Sequence, residues 1–404
     1  MGMLETLRSV LRFRRFEWSA TKRRLARAAN IDDLREIAER RLPDGVFAYI
    51  DGAAEDEVTA ARNQSAFRSH EFIPRVLRDV SGIDLSTTIL GRNVAAPLVL
   101  APTGFTRIAD SQGELAVARS ALRAGLPYAL STLSTRSIEE VADVGGPDLW
   151  FQVYVWKDRD LVADMLRRAR ERAYTTIVIT VDTPVLGRRE RDVRKGFELP
   201  PKIGLDTVID GLKHPGWTLD FVRAEPIRFA NVAGSLDVDG TTAIKLAEYA
   251  SSQFDPALSW DELAWFRERW DGEIVLKGLQ SVEDARIAVE HGMDGIALSN
   301  HGGRQLDGAP PPFELVGPVR DAIGDGAEIY CDGGIRRGSD IVKALAMGAD
   351  AAWIGRAYLY GLGAGGEAGV DHALDLLLTG MARTMALAGR PTLGELDRTM
   401  LRRR

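Results

Sequence analysis

The chain has 404 residues, of which 45% are hydrophobic and 27% are charged, and its formal net charge is −6. This composition is typical of a soluble globular protein, and the length suits one large α/β barrel or two ordinary domains. The negative net charge argues against nucleic acid as a partner. Cys331 is the only cysteine, which excludes an intrachain disulfide and fits a reducing, cytoplasmic compartment.

Residues 1–30 form a basic N-terminal arm, with Phe13, Phe16 and Trp18 interleaved among the cations. Two interpretations stay open: an arm on the anionic inner face of the cell membrane, or a basic segment that is flexible or packed. The cations are Arg8, Arg12, Arg14, Arg15, Lys22, Arg23, Arg24 and Arg27. No apolar run reaches the 18 or so residues that a bilayer requires, and no secretory signal core is evident.

A domain over residues 31–404 is predicted to begin with helices. Asn30 or Asp32 is the expected N-cap of the first helix, and Pro43 ends it. A second helical segment starts near Val46 and is broken by Gly52. Tyr49, within that segment, either points toward a site or fills the core.

From residue 96 onward, eight short apolar runs alternate with amphipathic stretches. Continuous apolar strands separated by helices indicate a parallel sheet, and eight such units in about 260 residues favour a TIM (β/α)8 barrel. The runs are residues 97–101, 128–130, 150–154, 177–181, 274–276, 295–298, 328–331 and 351–354. In a barrel the polar residues after these runs converge on one face, where active sites are found. Cys331 lies inside the seventh run and is expected to be a core thiol.

Residues 185–258 separate the fourth strand from its helix by far more than a usual connection. The segment contains Pro200-Pro201 and His214-Pro215-Gly216-Trp217, with few clear periods. We interpret it as a long excursion over the mouth of the barrel that serves as a lid, a partner surface or a membrane contact.

The sixth run ends in Ser299-Asn300-His301-Gly302-Gly303-Arg304. His301 is suited to proton exchange near neutral pH, and Arg304 to holding a carboxylate through two parallel hydrogen bonds. The motif therefore predicts proton abstraction from a small carboxylic acid, and the simpler alternative is a capped surface turn.

Loops after the seventh and eighth strands are predicted to bind a phosphate, with Gly333, Gly334 and Gly355 allowing close approach and Arg336 and Arg356 adding charge. The alternative is that the glycines serve only tight turns. A phosphate site combined with a His base and a Lys suggests flavin mononucleotide (FMN). No dinucleotide fingerprint follows the first strand, which argues against NAD, and no metal site is predicted.

With these motifs the chain resembles the FMN-dependent L-2-hydroxy acid dehydrogenases and oxidases, over residues 30–400. The most specific match is the motif at 299–307, and the others are residues 101–104, 151–154, 180–184, 186–189, 275–278 and 332–338. The resemblance implies His301 as the active-site base, Asp182 as its carboxylate partner, and Arg189 and Arg304 as the substrate-carboxylate clamp. It implies that Tyr49 and Tyr154 bind substrate and that Lys277 lies beside the flavin. The remaining cofactor residues that it implies are Pro102, Thr103, Gly104, Ser131, Gln152, Thr180, Ser299, Asp332, Gly333, Gly334, Arg336, Gly355 and Arg356.

Two positions depart from the glycolate oxidase pattern. Leu133 replaces a Trp, which should reshape the substrate side-chain pocket, and Gly104 stands where oxidases of the family usually carry Ala. The 214–217 loop resembles that of bacterial L-lactate dehydrogenases that associate with membranes. The resemblance thus favours oxidation of L-lactate to the 2-oxo acid, with electrons passed to a quinone or another carrier, in a homotetramer or larger oligomer. The alternatives are an oxidase or lactate monooxygenase that uses O2, a mandelate-type dehydrogenase, an FMN-dependent isomerase, and a flavin-binding protein without turnover.

Overall fold

Eight parallel strands close into a barrel in the spatial order β7-β8-β1-β2-β3-β4-β5-β6. They are β1 (Leu98–Leu100), β2 (Tyr128–Ser131), β3 (Leu149–Tyr154), β4 (Thr176–Thr180), β5 (Glu273–Leu279), β6 (Gly295–Ser299), β7 (Glu328–Asp332) and β8 (Ala351–Ile354). This computed structural model describes residues 17–195, 205–233 and 252–404. The barrel confirms the fold expected from the eight apolar runs.

The strands read as continuous apolar runs because both of their faces are buried. Trp150, Tyr330 and Trp353 fill the barrel interior, with ring centroids 5.5–6.1 Å apart. Two short antiparallel pairs flank the barrel: Thr87–Ile89 with Arg92–Val94, and His70–Phe72 with Leu401–Arg403. The first of these pairs contributes Ile89 and Val94 to the interior cluster.

Helices occupy the amphipathic stretches between the strands, as the sequence predicted. In chain order the described α-helices are α1 (Ala20–Leu25), α2 (Ile31–Arg41), α3 (Asp44–Asp51), α4 (Val58–Arg68), α5 (Glu114–Ala124), α6 (Ile138–Gly145), α7 (Arg159–Glu171), α8 (Glu190–Arg194), α9 (Leu205–Lys213), α10 (Pro215–Arg223), α11 (Ala230–Ala233), α12 (Glu262–Arg267), α13 (Val282–Glu290), α14 (Pro312–Ile323), α15 (Gly338–Met347), α16 (Arg356–Gly365) and α17 (Glu367–Ala388). Short 3-10 turns lie at Thr106–Ile108, His301–Gly303, Leu393–Glu395 and Arg398–Met400.

The N-terminal helices are fixed by the signals that predicted them. The Asn30 side chain accepts a hydrogen bond from Asp33 N and caps α2, and Gly52 follows the last residue of α3. Helix α1 packs on the barrel through Leu25, which is 6% exposed, and Arg24 donates to Ala364 O. The cations Arg8, Arg12, Arg14 and Arg15 of the basic arm, with Phe13 and Phe16, lie outside the described residues.

The insertion after β4 contains more helix than the sequence pattern suggested, namely α8 to α11. Trp217 Nε1 donates to Ile108 O at 2.7 Å, and Asp220 accepts from both Ser111 N and Ser111 Oγ. These anchors attach the insertion to the loop after β1, at the carboxyl ends of the strands. Pro200-Pro201 lies outside the described residues. In the described part of the chain, every helix is too short or too polar to cross a bilayer.

Candidate active site

Polar side chains at the carboxyl ends of β2, β3 and β4 form one hydrogen-bonded row. Ser131 Oγ donates to Gln152 Oε1 at 3.2 Å, and Gln152 Nε2 donates to Thr180 Oγ1 at 3.0 Å. All three residues are at most 2% exposed. The row follows from the strand register, which pairs Ser131 with Gln152.

A second polar group lies beside this row, on β5, β6 and β7. The register pairs Thr180 with Lys277 and Ser299 with Asp332. Lys277 Nζ lies 3.2 Å from Ser299 Oγ and 3.4 Å from Asp332 Oδ2, and Ser299 Oγ donates to Asp332 at 2.7 Å. A buried ammonium is thus held by one carboxylate and one hydroxyl at the edge of the cavity that Lys277 and Asp332 line.

His301 lies in the turn that follows β6. Its backbone has φ +57°, and the side chain of Asn300 caps the turn by accepting from Gly303 N at 3.0 Å. His301 Nδ1 lies 3.0 Å from Asp182 Oδ1, so Nε2 is the ring nitrogen available to a ligand. Gly278, with φ +113°, makes this pair possible, because a Cβ there would lie 2.7 Å from Asp182 Cβ.

Burial and charge set the protonation of this pair. Burial lowers the pKa of His301 below its ordinary 6.5, and the charge of Asp182 opposes only part of that shift. For Asp182, burial acts to raise the pKa, but His301 and Lys277 outweigh it, so the pKa lies below its ordinary value. The pair is therefore a neutral imidazole beside a carboxylate near pH 7. Asp182 Oδ2 is buried and has no hydrogen-bond partner among the described residues.

Arg189 and Arg304 flank the ring of Tyr49 near the histidine. Their Cζ atoms lie 5.8 and 5.0 Å from the ring centroid, respectively. Arg304 Nη1 donates to Tyr49 O and Gly52 O, whereas Arg189 Nε is buried without a partner among the described residues. Burial is the main cause that lowers the pKa of Arg304 to about 9, and repulsion from Arg189 is the second. Two neighbouring cations of this kind favour an anionic ligand.

Tyr154 ends β3 in the same cavity. It is 8% exposed, and its ring packs edge-on against Phe254, with centroids 5.1 Å apart. Burial raises the pKa of Tyr154 and the nearby Asp182 adds to that effect, so the phenol stays protonated and can donate. We call His301, Asp182, Tyr154, Arg189 and Arg304 the base end of the cavity.

The loops after β7 and β8 line the other side of the cavity, and we call Gly333, Gly334, Gly355, Arg336 and Arg356 the phosphate end. Arg356 donates to three carbonyls, those of Ile50, Gly302 and Gly52. Arg336 donates to Ile335 O and lies 5.4 Å above the ring of Tyr360. Arg356 therefore also holds neighbouring loops in place, a role that the sequence did not indicate.

Pro102, Thr103 and Gly104 follow β1 and border the same cavity. Thr103 Oγ1 lies 2.6 Å from Tyr358 Oη, which donates to Ala101 O. A Cβ on Gly104 would lie 3.1 Å from Leu133 Cβ, so these two positions are in close contact.

The structure thus brings all the sequence-predicted site residues to one end of the barrel. Sequence reasoning missed Phe229 and Phe254, which the insertion and its following segment contribute to the cavity wall together with Leu133. It also missed Asp192, a buried carboxylate near both arginines. Gln305 lay within the quoted motif but had no role assigned, and its Nε2 donates to Asp182 O and Val185 O. No local pattern marks the phenylalanines, because long-range packing alone brings them to the site.

One cavity of this TIM barrel contains a histidine–carboxylate pair, two neighbouring arginines and a buried lysine. These features are typical of an enzyme that binds an anionic substrate next to a second ligand. Residues 38–403 match the family described as FMN-dependent dehydrogenase, and the chain belongs to that family. It is therefore an FMN-dependent oxidoreductase.

Similar proteins agree with this assignment. The chain is 48% identical to a putative L-lactate dehydrogenase of Mycobacterium tuberculosis, over 97% of this chain and 93% of the relative. It is 42% identical to (S)-mandelate dehydrogenase of Pseudomonas putida, over 91% and 92% of the two chains. The crystal structure of a monotopic membrane protein, (S)-mandelate dehydrogenase, superposes with a TM-score of 0.89 at 41% identity, covering 94% of this chain and all of that one.

The residues of the cavity fit FMN. The Ser131–Gln152–Thr180 row offers donors and acceptors suited to a polar ring edge, and Lys277 offers a cation. Arg189 Nε, which has no partner among the described residues, supplies a buried donor for an anion at the base end.

Proposed function

We propose that this enzyme oxidises an L-2-hydroxy acid, with L-lactate as the first candidate, to the corresponding 2-oxo acid. Bound FMN would supply the two-electron acceptor for this reaction. The observation that carries the proposal is the pairing of His301 with Asp182 beside two arginines in one cavity.

Each residue of the base end has a role in this proposal. Arg304 and Arg189 hold the substrate carboxylate, and Tyr49 and Tyr154 donate hydrogen bonds to the bound acid. His301 accepts a proton from the substrate, and Asp182 stabilises the imidazolium that results. Contacts from the arginines and tyrosines would orient the bound acid toward His301, and this orientation makes proton transfer efficient.

The phosphate end and the strand ends would hold the cofactor. Gly333, Gly334, Gly355, Arg336 and Arg356 are proposed to surround the phosphate. Thr103, Ser131, Gln152 and Thr180, with Pro102, Gly104, Ser299 and Asp332, are proposed to contact the rest of the cofactor. Lys277 would favour a negatively charged reduced flavin by its positive charge.

The test is anaerobic bleaching of bound flavin by a panel of L-2-hydroxy acids and their D enantiomers. L-Lactate is expected to bleach the flavin, and D-lactate is not. A flavin that no 2-hydroxy acid of the panel reduces would contradict the proposal.

A bulkier aryl 2-hydroxy acid is a second candidate, because the cavity wall is more apolar than a methyl group requires. Leu133, Phe229 and Phe254 line it along with Phe105 and Ile108. The relative named (S)-mandelate dehydrogenase is consistent with such a substrate. Comparing the limiting rates of bleaching by L-lactate and (S)-mandelate distinguishes the two candidates.

The acceptor of the electrons is proposed to be a quinone or another carrier rather than O2. Adding air or a soluble quinone to the bleached enzyme separates the two. Reoxidation by quinone that is much faster than by air is expected, and rapid peroxide formation would favour the oxidase alternative.

We also propose peripheral attachment to the inner face of the cell membrane through helices α9 and α10. Leu212 and Val222 are each 74% exposed and Leu219 is 54% exposed, close in sequence to the cations Lys213 and Arg223. Exposed apolar side chains next to basic ones are typical of interfacial helices. The monotopic nature of a similar structure supports this proposal.

Co-sedimentation with vesicles that contain anionic lipid tests the attachment. The double change Leu212→Glu and Val222→Glu should abolish binding. Leu122→Glu is the control, because Leu122 is 46% exposed near the C-terminus of α5, toward the opposite end of the barrel. Equal binding by both variants would contradict the proposed surface.

Self-association as a tetramer or larger homo-oligomer is proposed as well. Three apolar side chains are exposed in one region: Val76 is 80% exposed, Leu77 is 102% exposed and Leu387 is 74% exposed. The hydrogen bond from Arg75 N to Ala388 O brings the two segments that carry them together. Light scattering of the holoenzyme gives the mass directly, and a monomer would refute the proposal.

A further inference from the structure

Helix α4 precedes the barrel in sequence but contacts both loops that border the cavity. Near its N-terminus, Val58 N and Thr59 N donate to the carboxylate of Asp307, in the segment that follows His301. At its C-terminal end, Phe67 O accepts from Lys343 Nζ at 2.7 Å, and Lys343 belongs to α15, which follows the phosphate end. One helix therefore connects the base end with the phosphate end.

Asn63, in the middle of α4, makes a reciprocal amide pair with Asn300. Asn63 Nδ2 donates to Asn300 Oδ1 and Asn300 Nδ2 donates to Asn63 Oδ1, both at 2.8 Å. Both residues are at most 2% exposed. Two buried hydrogen bonds between the same two side chains fix their relative position strongly, because breaking them would leave buried amide groups unsatisfied.

Asn300 in turn sets the geometry of the turn that contains His301. Its Oδ1 accepts from Gly303 N at 3.0 Å, and its Nδ2 also donates to Pro310 O at 3.1 Å. His301 directly follows Asn300 and has φ +57°, a conformation that is uncommon for non-glycine residues and that the surrounding contacts help to hold. The Asn63–Asn300 pair is part of those surroundings.

The same Asn63 lies against the phosphate end. A Cβ on Gly334 would overlap the Asn63 carbonyl, and a Cβ on Gly333 would lie 3.2 Å from Asn63 Nδ2. Both glycines have positive φ, +132° for Gly333 and +82° for Gly334. These glycines are thus required by the close approach of α4, in addition to any role toward a phosphate.

We propose that Asn63 is a positioning residue that couples the phosphate end to the His301 turn, so that FMN phosphate binding and the orientation of His301 depend on each other. The inference rests on the proposed function for the role of His301 and for the place of the FMN phosphate at Gly333 and Gly334. If two sites are coupled in this way, the effect is reciprocal: ordering one loop makes ordering of the other more favourable.

The experiment compares Asn63→Ala with Asp307→Ala. Asp307 holds the N-terminus of the same helix to the same segment but makes no described contact with Asn300, Gly333 or Gly334. Both variants are expected to lower the thermal midpoint. Asn63→Asp is the near-isosteric second variant: its carboxylate accepts from Asn300 Nδ2 but cannot donate to Asn300 Oδ1, so it serves if the alanine variant does not fold.

Two readouts separate coupling from simple destabilisation. The first is the ratio of the affinities for FMN and for riboflavin, which lacks the phosphate, measured by fluorescence titration of apoprotein. Asn63→Ala should lower this ratio about fivefold or more, the usual lower bound for coupling between sites, and Asp307→Ala should leave it unchanged. The second is amide hydrogen exchange in residues 299–308, which FMN should slow in the wild type and in Asp307→Ala but much less in Asn63→Ala.

Asn63→Ala and Asn300→Ala each remove the same pair of hydrogen bonds. The double variant should therefore lower the FMN-to-riboflavin affinity ratio no further than either single variant does. An unchanged ratio in the Asn63 variants, or an equal fall in Asp307→Ala, would overturn the inference. None of these readouts uses a hydroxy acid. Failure of substrate oxidation would therefore count against the proposed function and leave the coupling to be judged on its own.

Discussion

The base end of the cavity contains two buried polar atoms without a hydrogen-bond partner among the described residues, whereas Arg356 at the phosphate end is held by three backbone carbonyls, one more than Arg304 at the base end. Arg189 Nε and Asp182 Oδ2 have no hydrogen bond within the described residues, but Arg356 donates to three carbonyls. The buried Nε of Arg189, a donor without a partner among the described residues, indicates that the base end is arranged for an anion that accepts its hydrogen bond. The phosphate end instead combines ligand contact with holding the loops together, so substitutions at the two ends should fail in different ways.

The largest expected effect is that of His301→Ala on flavin reduction. General base catalysis contributes about 10²- to 10⁴-fold, so the limiting rate of anaerobic bleaching should fall by that factor. FMN should remain bound, because His301 belongs to the base end. Stopped-flow absorbance measures the rate. His291→Ala is the matched control, since His291 stacks on Trp260 outside the cavity, with centroids 5.7 Å apart. Near-normal bleaching in His301→Ala would remove the residue from its proposed role.

Asp182→Asn should lower the same rate by less than His301→Ala and change its dependence on pH. In the wild type, the pKa of His301 lies below 6.5, so the neutral base persists and the rate should fall only at more acidic pH. Asp182 raises the pKa of His301, so its neutralisation should lower that pKa further and move the acidic limb to still lower pH. Bleaching rates across pH at substrate concentrations well below KM, which report the pKa of the free enzyme, test this sign. A limb that moves to higher pH would contradict the assigned pairing.

Arg304→Lys compared with Arg356→Lys tests the contrast between the two ends directly. Losing a charge-assisted hydrogen bond costs about 1.5–3 kcal/mol, so Arg304→Lys should raise the substrate KM by roughly tenfold to a hundredfold. Arg356→Lys removes hydrogen bonds to three carbonyls, those of Ile50, Gly52 and Gly302, whereas Arg304→Lys removes two. Arg356→Lys should therefore lower the thermal midpoint and FMN retention more than Arg304→Lys does, and raise KM less. Steady-state kinetics and thermal unfolding of both variants decide the comparison. If Arg356→Lys raised KM without lowering the thermal midpoint or FMN retention, the proposed difference between the base end and the phosphate end would be wrong.

The same contrast shows what a sequence can predict here. The eight strands and the His301 turn were predictable because each depends on local signals, namely apolar runs and a polar motif after β6. The hydrogen bonds from Arg356 to Ile50 O and Gly52 O, and the contact of α4 with Gly334, were not predictable, because they join residues more than 250 positions apart in sequence. Glycines at 333 and 334 illustrate the limit: the sequence marked them for a phosphate, but Asn63 also restricts these positions, through its backbone at Gly334 and its side chain at Gly333. The helices of the insertion were missed, and several of their described apolar residues, such as Leu212, Leu219 and Val222, are exposed.

The smallest effect is expected from Gly104→Ala, at the boundary between the two ends. The new Cβ would lie 3.1 Å from Leu133 Cβ and 3.2 Å from Leu133 O, which is tighter than ordinary contact but close enough for a small shift to relieve. Leu133 borders the apolar wall of the base end, so the shift should narrow the substrate side-chain space and leave the phosphate end unchanged. We therefore expect KM to rise a few-fold for a bulky substrate such as (S)-mandelate, with little change for L-lactate, while FMN affinity stays the same. Pairing Gly104→Ala with Leu133→Ala should lower the KM for (S)-mandelate again, because removing the Leu133 side chain beyond its Cβ enlarges the substrate side-chain space even though the contact with residue 104 persists. A loss of FMN affinity in the single variant would instead indicate that the added methyl group disturbs the proposed contact between residue 104 and the cofactor.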